Sequence, residues 1–153
     1  LLIGLVTAMA SIYSAYVDRE YARASVWPRL EIFRSFSGDS FSYGVTNNGT
    51  GPALIQYAKV GDGSKYVKKW NEIESFGNIR QSHMGSRTLS PQKSITPVSY
   101  RGGDAQKLVK ADNEITIELC YCSIYEECWI IDRENKPASV DACVIDPSER
   151  FSQ

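Results

Sequence analysis

The stretch "ITIELCYCSIYEECWIID", residues 115–132, decides how the chain folds. Ile115, Ile117 and Leu119 alternate with Thr116, Glu118 and Cys120, the two-residue period of a strand with one buried face. "CWIID" reads as the return strand, so the segment predicts a hairpin that turns through Tyr125, Glu126 and Glu127. It also holds Cys120, Cys122 and Cys128, while the remaining cysteine, Cys143, follows in "SVDACVID".

Spacing separates the chemistries that such a cluster could perform. Residues two apart on a strand share a face, which puts Cys120 and Cys122 together, with Tyr121 and Ser123 on the other side. A structural zinc site takes paired C-x2-4-C knuckles. Here the pattern is C-x-C, then five residues, then fourteen, and His83 is the only histidine. A thioredoxin-like centre wants C-x-x-C at a helix N-terminus, and this cluster sits on a strand. Disulfides fit better, because the cysteines are even in number and two of them face each other across a hairpin. Four cysteines allow three pairings. We favour Cys122 with Cys128, closing the hairpin, and Cys120 with Cys143, tying down the tail. A metal-binding or thiol-redox sensor or enzyme built on the same four residues is the rival reading.

Outward from the hairpin the strand pattern continues. Phe41, Tyr43 and Val45 alternate with Ser42, Gly44 and Thr46, and Leu30, Ile32 and Phe36 open a strand before them. "NNGTGPALIQYAKV" follows, with Asn48, Gly49, Gly51 and Pro52 predicting a structural corner in which the glycines supply positive φ. Asp62-Gly63 predicts a type I′ hairpin. "NEIESF" after Trp70 and "GDAQKLVKAD" predict short helices capped by Asn71 and Asp104, with Leu108 and Val109 turned inward. Pro91 and Pro97 belong at strand edges or loop starts. Many short strands with turns at intervals of roughly ten residues predict a mainly β, antiparallel sandwich.

The N-terminal run "LLIGLVTAMASIYSAYV" carries no charged side chain before Asp18. We read residues 1–18 as the C-terminal part of a transmembrane helix that begins further upstream, with Tyr13, Tyr16 and Tyr21 near the interface. Ala8-Met9-Ala10 also matches a signal-peptide cleavage pattern, and a retained signal anchor is the reading we carry forward. Residues 19–27 follow as a helical stalk ending at Trp27-Pro28, residues 28–147 as the sandwich, and residues 148–153 as a C-terminal tail.

"ASVWPRLEI", "NNGTGPALI", the Asp62-Gly63 hairpin and "ELCYCSIYEECWIID" together resemble a group of uncharacterised bacterial membrane-anchored proteins with a small immunoglobulin-like β-sandwich outside the membrane. The likeness covers most of residues 20–145. It implies an immunoglobulin-like fold and a location, and brings no catalytic residues with it.

Composition bounds the rest. A chain of 153 residues, 42% hydrophobic and 23% charged, fits one domain plus an appendage. A net charge of -1 gives no electrostatic ground for nucleic acid. No G-x-S-x-G, H-E-x-x-H or Walker motif occurs, His83 sits among polar and small residues, and Asp132, Glu134 and Asp141 lack a calcium-loop pattern. No catalytic residue, metal site or cofactor is therefore assigned. The expectation is a single-pass membrane protein, touching the bilayer through residues 1–18, with a disulfide-stabilised periplasmic or extracellular domain. That domain would bind a partner protein or self-associate as an accessory or assembly subunit, with Tyr121, Tyr125 and Trp129 as candidate partner-binding residues.

Overall fold

The computed structural model describes residues 1–153. It is built mainly of antiparallel strands, with helix α1 (Leu2–Ser25) in front and a short α2 (Ala105–Ala111) between strands. One sheet joins β1 (Leu30–Ser37), β2 (Ser40–Asn47), β7 (Ser94–Arg101) and β5 (Arg80–Gln81), in that order. The other runs β10 (Ala138–Val140), β9 (Cys128–Ile131), β8 (Thr116–Cys122), β3 (Ala53–Gly61), β4 (Tyr66–Val67), and β6 (Arg87–Leu89) also pairs with β3.

The two sheets share one core, because the alternating residues of each turn the same way. Phe41, Tyr43 and Val45 of β2 meet Ala58 and Val60 of β3, Ile117, Leu119 and Tyr121 of β8, and Trp129 and Ile131 of β9. Trp70 lies at the centre, its ring 5.7 Å from Tyr43 and 5.0 Å from Phe151. Phe151 belongs to the segment expected as a free tail. It is 3% exposed, and its N–H donates to Ala58 O at 2.9 Å, in the stretch of the β3 edge that β6 and β4 leave unpaired. The tail thus completes both the core and the sheet.

Local chemistry differs from expectation at several turns. Gly49 and Gly51 do not have positive φ. Glycine is needed there because a Cβ would lie 2.2 Å from Trp27 O and 1.7 Å from Val26 O, where the chain leaving α1 crosses the corner. The centre of that corner is Asn47, which is fully buried. Its Nδ2 donates to Gly51 O and Leu89 O, and its Oδ1 accepts from the N–H groups of Gly49 and Arg29. Asn48 lies outside and bonds Glu31. At Asp62-Gly63 only Gly63 has positive φ, and the Asp62 carboxylate accepts from the N–H groups of Ser64 and Lys65, so the β3–β4 loop has four residues instead of two. "NEIESF" forms two 3-10 turns, Trp70–Glu72 and Glu74–Phe76, without an Asn71 cap, and Asp104 makes no side-chain cap on α2.

The N-terminal expectation is corrected. Residues 2–25 form one continuous helix, but no helix of the chain is long and apolar enough to cross a membrane. Gly4, Thr7, Ala8, Ser11 and Ser14 dilute the apolar run, and Asp18, Arg19 and Glu20 follow within the same helix. The transmembrane span within residues 1–18, and the single-pass membrane location that rested on it, fall with that finding.

Candidate functional site

Strand β8 is buried on both faces, and this explains where its side chains go. Its inner face sends Ile117, Leu119 and Tyr121 into the core. Its outer face carries Cys120 opposite Ile130 and Cys122 opposite Cys128 on β9. The segment after β10 crosses that outer face and delivers Cys143. The structure joins Cys120 to Cys143 and Cys122 to Cys128, with Cα atoms 5.7 Å and 4.0 Å apart, and leaves no free cysteine. The two bonds touch, since Cys122 Sγ and Cys143 Sγ are 3.7 Å apart. Cys122, Cys128 and Cys143 bring their sulfurs within 4.8 Å of one another. Oxidised sulfurs are not thiolates, so this group offers a metal no ligand unless it is first reduced.

Beyond the disulfides the hairpin tip is organised by Ser123, which is buried. Its N–H donates to Glu127 O at 2.8 Å, and its Oγ accepts from the N–H of Tyr125 at 3.1 Å and of Glu127 at 3.4 Å. Glu126 takes a positive φ of 62° at the turn. Glu127 pairs with Arg23 near the end of α1, so the helix is tied to the hairpin at its base.

The three aromatics expected at a binding surface divide. Tyr121 and Trp129 are 1% and 6% exposed and belong to the core, because they occupy the inner positions of β8 and β9. They are therefore corrected from partner-binding to packing residues. Tyr125 is 47% exposed at the tip, beside Ile124 at 52%. Trp27, which sequence reasoning placed only as a boundary, is also half exposed and packs its ring 4.8 Å from Trp129.

Most of the exposed large apolar side chains lie on α1. None of its residues is buried, and its exposed large side chains include Leu2, Leu5, Met9, Ile12 and Tyr16. These five follow 3-4-3-4 spacing, so they share one stripe of the helix.

The densest polar network is elsewhere. Asp112, at the end of α2, is buried and accepts from the Tyr43 hydroxyl, from Arg133 Nη2 at 2.7 Å and from Arg34 Nη1 at 2.5 Å. Burial by itself would raise the carboxyl pKa. The hydrogen bonds from Tyr43 and Arg133 and the Arg133 charge outweigh it and hold the group below its ordinary value. Burial, reinforced by Asp112, drives the Tyr43 phenol strongly upward, so the proton stays on the phenol. Sequence alone could not bring residues 34, 43, 112 and 133 together.

A shallow cavity of about 540 Å³ includes Lys59, Thr116, Glu118, Asp132, Arg133 and Glu134 in its lining. Its cations are already paired, Lys59 with Glu149 at 2.9 Å and Arg133 with Asp112. Asp132 accepts from the Glu134 N–H, and Glu134 pairs with Lys136. With Asp141 they form no ligand group. His83 is exposed, and its carbonyl accepts from Arg87.

Comparison with models of protein families, with curated proteins and with solved structures returns no match for this chain.

Proposed function

We propose that the chain is a disulfide-braced β-sandwich that acts as a protein-binding, accessory or assembly subunit, with α1 as its docking element. The carrying observation is the surface of α1: a helix of 24 residues that buries none of them. An isolated helix is marginal in water, and amphipathic or apolar helices gain order by laying a stripe of residues at 3-4 spacing into a partner's groove. The Leu2, Leu5, Met9, Ile12, Tyr16 stripe has that form. Ile124, Tyr125 and Trp27 are further exposed apolar side chains on the domain, and the Arg23–Glu127 pair ties the end of the helix to the hairpin.

The sandwich itself is read as immunoglobulin-like, in keeping with the resemblance found in the sequence. Strand order supports this: β1-β2-β7-β5 beside β9-β8-β3-β4 corresponds to the A-B-E-D and G-F-C-C′ sheets of that fold.

The test is photo-crosslinking in the producing cells, with the reactive residue placed at Met9, at Tyr125, or at Lys107, an exposed position on α2. A discrete adduct from Met9, weaker or absent from Lys107, is the expected result. Equal labelling from all three positions, or none from Met9, refutes the reading.

A further inference from the structure

The contact between the two disulfides carries an inference that does not depend on the docking role. Cys122 and Cys143 belong to different bonds, yet their sulfurs lie 3.7 Å apart. We propose that the four cysteines form a thiol–disulfide exchange centre, in which an external dithiol opens one bond and the cluster rearranges to Cys122–Cys143.

The chemistry balances from either starting point. A dithiol that opens Cys122–Cys128 becomes a disulfide itself and leaves two cysteine thiols. The Cys122 thiolate then attacks Cys143 Sγ, the Cys120–Cys143 bond breaks as Cys122–Cys143 forms, and Cys120 leaves as a thiolate and takes up a proton. If the dithiol opens Cys120–Cys143 instead, the Cys143 thiolate attacks Cys122 Sγ and expels Cys128. Both routes give the same product, one Cys122–Cys143 bond with thiols at Cys120 and Cys128, and the internal step is redox-neutral.

The product differs in shape. Residues 120 and 122 share the outer face of β8, so the tail anchor moves two residues along the strand, about 7 Å, toward the hairpin tip. The tip loop loses its cross-strand staple at the same time. Ser123, whose hydrogen bonds order the tip, and Glu127, which holds Arg23, lie within that loop.

The experiment treats the full chain with one equivalent of dithiothreitol, quenches with acid, blocks thiols with N-ethylmaleimide and maps the remaining disulfide by peptide mass spectrometry. Among species retaining one bond, Cys122–Cys143 is expected above the share of about one in six that random pairing of four cysteines gives. A share at or below that value overturns the proposal. A second measurement needs no reductant: Cys128→Ser leaves Cys122 free beside Cys120–Cys143. The thiol should then partition between Cys122 and Cys120. A thiol that stays wholly on Cys122 in the folded variant contradicts the exchange, and the native-chain experiment decides if the variant does not fold.

Discussion

Removing the buried carboxylate of Asp112 should destabilise the domain by about 2–5 kcal/mol at neutral pH. The sum is built from its partners. In Asp112→Ala the Tyr43 hydroxyl, 1% exposed, is left in the core without its acceptor, which costs about 1–3 kcal/mol. The side chains of Arg133 and Arg34 are 30% and 42% exposed and regain water, so each lost pair contributes only about 0.5–1 kcal/mol. For a chain of this size the total corresponds to a fall in Tm of roughly 4–20 °C. Urea unfolding followed by tryptophan fluorescence is the assay, with Trp70 stacked on Tyr43 as a local reporter. Two further variants expose the cause. Asp112→Ala combined with Tyr43→Phe should recover roughly 1 kcal/mol, since removing both partners of a buried hydrogen bond is milder than removing one. Asp112→Asn keeps the shape and loses the charge. Because the folded carboxyl titrates below its ordinary value, its contribution is present above about pH 4 and is lost as pH falls through the depressed value. The gap between Asp112→Asn and the parent should therefore close in acid. A neutral-pH loss below about 0.5 kcal/mol for Asp112→Ala, or a gap to Asp112→Asn that does not change with pH, would refute the reasoning.

Phe151→Ala should cost about 3–5 kcal/mol by denaturant unfolding, since it empties a site against Trp70 in the core; a loss under 1 kcal/mol means that the tail is an appendage. Asn47→Ala removes four hydrogen bonds at the corner and should lose about 2–4 kcal/mol, whereas Asn48→Ala, at an exposed position, should stay within about 0.5 kcal/mol. The disulfides should rank by the chain they close. Replacing Cys120 and Cys143 with serine opens a separation of 23 residues, worth roughly 3 kcal/mol, against roughly 2 kcal/mol for the six-residue Cys122–Cys128 pair. Equal losses, measured by thermal unfolding, argue against the loop-closure origin.

The strand pattern of residues 41–45 and 115–121 was legible because a period of two marks which side chains share a face. It does not say what covers each face. That is why Tyr121 and Trp129 looked available to a partner, although the second sheet and Trp27 already cover them. Gly49 and Gly51 marked a real corner for a different reason: backbone from residues 26 and 27 passes within contact distance, and no local pattern encodes such a crossing. Asn47, one position before the corner residues that the pattern singles out, carries no local signal of its role, because its four partners come from residues 29, 49, 51 and 89. Phe151 stands alone in a polar tail, with no periodicity to announce that it enters the core. In α1 the absence of charge before Asp18 suggested a membrane span, while the small and hydroxyl side chains within the run lower its hydropathy below that of a spanning helix.

The proposed docking role requires α1 to be an element that finds its order on a partner. Amide hydrogen exchange on the purified monomeric chain tests this directly. Amides of residues 5–21 should exchange far faster than those of β3 and β8, since the helix has no packed face to protect it. Protection of α1 equal to that of β8 in the monomer would mean that the helix already has its partner within the chain, and would contradict the docking role.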